Sequence, residues 1–60
     1  MTSVEEDIYE VEKIIGKTTI NGQDHYKVKW KYFGMEDCTW EPLSNLGEAM
    51  HKVYEFNQEQ

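Results

Sequence analysis

Hydrophobic and polar positions change period twice along this chain. From Val4 to Ile15, acidic residues are interspersed with Ile8, Val11, Ile14 and Ile15, a spacing that fits a helix or a strand. The β-branched content favours a strand that bends or bulges, with Gly16 as its stop. From His25 to Lys31 the alternation is strict. Tyr26, Val28 and Trp30 fall on one face, and His25, Lys27, Lys29 and Lys31 on the other, as in a half-buried antiparallel strand. Between these segments lies Asn21-Gly22, and both residues tolerate the positive φ that a two-residue type I′ hairpin turn requires. Beyond Gly34, Met35-Glu36-Asp37 reads as a turn and Cys38-Thr39-Trp40-Glu41 as a short third strand. Pro42 ends that strand, because proline cannot donate to a central ladder. At Leu46 the period lengthens: Leu46, Ala49/Met50, Val53 and Phe56 mark one face of an amphipathic helix. Asn45 with Glu48 three residues on resembles a capping pair. The pattern predicts β-β-β-α, without repeats or an internal linker.

Length and composition limit what such a layout can do. Sixty residues make one small domain, which buries only about 60% of its unfolded surface and cannot house a deep active site. With 38% hydrophobic and 30% charged residues the chain is globular, not disordered. One cysteine, Cys38, excludes an internal disulfide and suits a reducing compartment. No apolar run reaches membrane-spanning length, and the acidic start MTSVEEDIYE is unlike a signal or transit peptide. Twelve acidic residues stand against six lysines and no arginine, a net charge of −6. That balance repels phosphate backbones and anionic membranes and favours a basic partner, although it also serves simply to keep a small domain soluble.

Catalytic chemistry finds little support. Cys38 with His25 or His51 is the one Cys/His combination, and its members fall on a strand, a polar strand face and a helix. One cysteine and two histidines lack metal-ligand spacing, and no glycine-rich phosphate loop is present. No catalytic residue, metal or cofactor is expected. Lys27, Lys29 and Lys31 form a basic stripe beside aromatics, but the net charge argues against nucleic acid, and a solvated strand face accounts for them. The aromatic residues remain. Trp40, within TWEP, is expected in the core, because a fold this small has few rings to spare. Alternation puts Trp30 on the core face too. Yet Trp30 ends its strand and Phe33 precedes a glycine turn, so both rings also fit a rim.

Taken in order, YEVEKI (Tyr9 to Ile14), VKW (Val28 to Trp30), Phe33 and TWEP (Thr39 to Pro42) followed by Asn45-Leu46 resemble the chromodomain, most of all its heterochromatin protein 1-type branch. The likeness runs from Glu6 to Phe56, and the domain is expected over 5–58, with frayed ends at 1–4 and 59–60. It implies an α+β, mostly β fold: a three-stranded antiparallel sheet of SH3-like half-barrel form with a C-terminal helix packed across it. It also implies a nuclear chromatin reader that binds a di- or trimethylated lysine on the histone H3 tail, foremost the lysine-nine mark, by β-strand addition. Carried over by resemblance, the methyl-lysine cage falls on Tyr9, Trp30 and Phe33, with Asp37 as the acidic residue beside it. The peptide-binding positions fall on Ile8, Glu10, Val11, Glu12, Glu41, Asn45, Leu46 and Gly47. On this alignment Trp30 and Phe33 are presented and Trp40 is core. Tyr32 stands where the family usually has glycine, and a bulky residue there is expected to avoid positive φ and alter the turn. Ile8 and Gly47 stand where family members often clasp the peptide, and they form neither a polar nor a two-sided apolar clasp. A self-association module of chromoshadow type, which needs an open apolar helix face, and a weak nucleic-acid-binding barrel are the alternatives.

Overall fold

The structure is a computed structural model that describes residues 10–59. Three strands, β1 (Val11–Ile20), β2 (Gln23–Trp30) and β3 (Thr39–Pro42), form one antiparallel sheet in the order β1-β2-β3, and a C-terminal helix, α1 (Met50–Gln58), follows. Asn21 (φ 54) and Gly22 (φ 80) make the hairpin turn with both residues left-handed, as the Asn-Gly pair predicts. The strand reading of the ambiguous first segment holds from Val11 onward. Its pairing with β2 slips once between Val11 and Lys13 and again between Ile14 and Gly16. Each slip inserts one extra residue into β1, bending and coiling it.

Gly16 is therefore not a stop. It lies inside β1, opposite Lys27, and a Cβ there would come within 3.3 Å of both Lys27 Cβ and Trp40 Cη2. Glycine at this bulge lets another ring approach the backbone closely.

The core lies between one face of the sheet and the C-terminal segment. Ile14, Tyr26, Val28, Leu46, Ala49 and Val53 are buried, and Val11, Trp30 and Phe56 pack against this cluster. Phe56 meets Tyr26 edge-on, with ring centroids 6.2 Å apart at 88°, the arrangement that aligns ring edge with ring face. Val28, at 0% exposure, is the centre. Burying an aliphatic side chain of this size contributes about 1.5–3 kcal/mol.

Trp40 is not core. It is 46% exposed, because strand alternation sends it to the side opposite Thr39 and Glu41. Thr39 pairs with Val28 and Glu41 with Tyr26, on the core face, whereas Trp40 pairs with Lys27 on the outer one. The helix covers only the inner face. Trp40 instead lies across the strands toward Gly16, with Lys27 Nζ 5.9 Å from its ring centroid. The lysine stripe is correspondingly less bare than expected. Lys27 and Lys29 are half-buried, and Lys29 pairs with Glu12.

The helix also starts later than the apolar period suggests. Two 3-10 turns, Leu43–Asn45 and Gly47–Ala49, precede it, and its cap residue is Ala49. No side-chain cap bond forms there, so the Asn45/Glu48 capping pair is not made. The Asn45 amide is used elsewhere.

Candidate functional site

Trp30 closes β2, half-buried and packed against the core cluster. The chain then reverses. The Phe33 N–H donates to the Trp30 carbonyl at 3.1 Å, and Tyr32, third in this four-residue turn, has φ 73. A positive φ at the third position defines a type II-like turn, which normally takes glycine. The expectation that Tyr32 avoids this conformation is thus overturned. Its ring points outward, 79% exposed, where side-chain bulk meets no obstacle, and Lys31 Nζ sits 5.6 Å from the ring centroid. The backbone reversal usual for glycine is retained, and it brings Phe33, 40% exposed, back beside the end of β2.

Two further devices fix this corner. The Lys31 N–H donates to the Glu10 carbonyl at 2.8 Å, extending the ladder one step past β1, and the Lys31 and Glu10 side chains pair at 3.9 Å. After Gly34, a 3-10 turn over Met35–Asp37 carries Asp37, exposed, on the same loop as Phe33.

On the core face, next to Trp30, runs a chain of polar contacts. The Trp30 indole Nε1–H donates to Thr39 Oγ1 at 2.9 Å, and the Thr39 hydroxyl donates to Glu41 Oε2 at 2.8 Å. Asn45 Nδ2 donates to Glu41 Oε1 at 3.3 Å. Alternation explains the alignment, since residues two apart on a strand share a face, and the Leu43–Asn45 turn folds Asn45 back over Glu41.

The positions expected from the resemblance to bind peptide divide by location. Val11 and Glu12 open β1, which is an edge strand among the described residues, and Glu10 directly precedes it. An edge strand offers backbone groups to an added strand. Glu12 is held by Lys29, whose hydrogen bond lowers its carboxyl below the ordinary value of 4.5. Glu41 and Asn45 join the polar chain. Leu46 is only 2% exposed, so its side chain serves the core, while its N–H donates to the Leu43 carbonyl and its own carbonyl accepts from the Ala49 N–H, both at 2.9 Å. Gly47 is exposed, and the space beside its Cα is open. Tyr9 and Ile8 lie outside the described residues. Thr39, the centre of the polar chain, is absent from the sequence-based set. Strand alternation with Glu41, and pairing opposite Val28 two residues from Trp30, are the signals that could have found it.

Among the described residues, no cluster of three or more His, Cys, Asp or Glu side chains is placed to hold a metal ion, and no helix is long and apolar enough to cross a membrane. Cys38 is a free, half-buried thiol.

An open three-stranded sheet, a C-terminal helix and a tryptophan–phenylalanine corner above an edge strand describe a small binding module. The Chromo (CHRromatin Organisation MOdifier) domain model matches residues 9–59, and the chain belongs to this family. It is 50% identical over 51 residues to the Chromo domain-containing protein rhino of Drosophila melanogaster, a match covering 85% of this chain and 12% of rhino. It is 42% identical over 53 residues to M-phase phosphoprotein 8 of Homo sapiens, covering 88% of the chain and 6% of that protein. The Chromobox protein homolog hpl-1 of Caenorhabditis elegans is 32% identical over 53 residues, 88% of the chain and 28% of hpl-1. The chain thus spans a small fraction of the length of each of these relatives.

Proposed function

We propose that this chromo domain is a non-enzymatic reader of a di- or trimethylated lysine on the histone H3 tail, foremost lysine nine, acting in nuclear chromatin. Tyr9, Trp30 and Phe33 form the aromatic cage and Asp37 lies beside it. The observation that carries this reading is the corner at the end of β2. There a left-handed Tyr32 turns the chain so that the Phe33 N–H bonds the Trp30 carbonyl, and both residues are partly open to solvent.

The chemistry of the mark fits such a corner. Methylation keeps the lysine charge, removes N–H donors and spreads the cation over an apolar surface, so leaving water costs less. Ring faces then attract it through their quadrupoles, at about 0.5–2 kcal/mol per ring depending on desolvation. An extended tail fits the edge of β1 at Glu10–Glu12 by strand addition, with Glu41, Asn45 and the Leu46-Gly47 backbone on its other side. Backbone bonds supply affinity without sequence information, and the cage selects the modified residue. Net negative charge attracts a Lys/Arg-rich tail and speeds encounter.

Titration against matched H3 peptides, unmethylated and methylated at lysine nine or lysine twenty-seven, tests the function. The expected result is micromolar binding, about −7 to −8 kcal/mol, because a short peptide must be ordered on a shallow groove. Removing the methyl groups is expected to abolish most of it. Equal affinity for methylated and bare peptides is the outcome that defeats the reading.

A further inference from the structure

We propose that Thr39 is a positioning residue that couples the cage wall Trp30 to the peptide-binding pair Glu41 and Asn45. The inference rests on the reader function above. The Thr39 hydroxyl has one proton and two lone pairs. It gives the proton to Glu41 Oε2 at 2.8 Å and accepts the Trp30 indole N–H at 2.9 Å. Each role fixes the other: with its proton committed to the carboxylate, the hydroxyl faces the indole as an acceptor. A hydrogen bond to a charged carboxylate also polarises the hydroxyl oxygen, which strengthens it as the acceptor for the ring. Asn45 holds the second Glu41 oxygen at 3.3 Å, so the carboxylate is oriented from both sides.

The Trp30 ring packs against the core cluster, and its indole N–H is held by Thr39. Thr39 thereby fixes the polar edge of the ring at 2.9 Å. A tail that engages Glu41 and Asn45 acts on the same carboxylate that sets the Thr39 hydroxyl, so register along the groove and ring orientation at the cage are one connected event.

The test uses Thr39→Val, which keeps the branched shape and strand preference but lacks the hydroxyl, and Thr39→Ser, which restores it. In the free domain, indole N–H resonances are followed by NMR, with Trp40 as the internal reference assigned through Trp40→Phe. Thr39→Val is expected to shift the Trp30 indole resonance and speed its solvent exchange, with Trp40 unmoved, and Thr39→Ser to return it. In titrations with a trimethyl-lysine H3 peptide and its unmethylated counterpart, Thr39→Val is expected to lose about 3- to 10-fold in affinity for the methylated peptide, the effect of one hydrogen bond of ordinary net strength. The unmethylated peptide is expected to change little, so selectivity falls, and Thr39→Ser recovers it. An unshifted Trp30 resonance in Thr39→Val, or equal weakening of both peptides, overturns the inference. The two failures are distinguishable: a wild-type domain indifferent to methylation defeats the reader function and the coupling with it. A discriminating wild type beside an equally discriminating Thr39→Val defeats the coupling alone.

Discussion

Tyr32 provides a test in which local backbone physics reverses the usual ranking of two substitutions. Tyr32→Ala and Tyr32→Gly both remove the exposed ring and its contact with Lys31 Nζ, so those losses cancel in the comparison. What differs is one Cβ at φ 73. At an ordinary position in a regular element, glycine is less stable than alanine by about 0.5–1 kcal/mol. In the left-handed region a Cβ costs roughly 1–2 kcal/mol, against about 0.4–1 kcal/mol by which alanine restricts the unfolded chain. Glycine is therefore expected to be the more stable variant by roughly 0.8 kcal/mol, an inversion of sign. For a domain of this size that is about 3–6 °C in melting temperature, readily resolved by paired thermal and urea unfolding. The same subtraction predicts that Tyr32→Gly is close to wild type, because relieved strain is offset by the lost cation–π contact and the greater freedom of the unfolded chain. Alanine equal to or more stable than glycine refutes the left-handed assignment and, with it, the turn that places Phe33.

The two sides of the sheet predict different costs of truncation: Leu46→Ala, in the core, is expected to lose about 2–5 kcal/mol, whereas Trp40→Ala on the half-exposed outer face loses less. Denaturant titration ranks them, and a larger loss at Trp40 contradicts the outer-face placement. The Lys29 bond that lowers the Glu12 carboxyl stabilises the fold above the unfolded value, near 4.5, and the contribution disappears as pH falls through the lower folded value. Glu12→Gln is expected to be less stable than wild type at neutral pH, with the two unfolding curves converging in acid; parallel curves throughout exclude that linkage. At the proposed cage, a neutral carbon isostere of trimethyl-lysine is expected to bind more weakly than the cation, by about 1–3 kcal/mol summed over the rings. Equal affinities in calorimetry leave only apolar burial to explain binding. Phe33→Ala is expected to damage methylated-peptide binding far more than Tyr32→Gly, and the reverse ranking transfers the third wall to Tyr32.

Local information was enough for the elements of this fold. Asn21-Gly22 fixed the hairpin because few other residue pairs adopt two consecutive positive φ values, and strict alternation from His25 to Trp30 fixed which side of β2 is buried. The wider apolar spacing after Leu46 marked the helix face, although two 3-10 turns delayed the helix itself to Met50. Local spacing left Trp30 and Phe33 open between core and rim, and only the ordered aromatic motifs, through the family resemblance, assigned them to one site. Other features depended on partners distant in sequence. Whether Gly16 ends a strand or makes room within it was decided by the Trp40 ring, and whether Trp40 is buried was decided by a helix that covers one face of the sheet only. Composition told that a small fold needs its rings, but not which face the helix would take. Asn45 matched a capping signal, yet its amide went to Glu41, because the turn at Leu43–Asn45 set it over β3 and not at the start of α1. Tyr32 entered a conformation its side chain disfavours because the β2 ladder on one side and the Phe33 N–H bond on the other fix the reversal. A local penalty of roughly 1–2 kcal/mol is smaller than what those tertiary contacts together contribute.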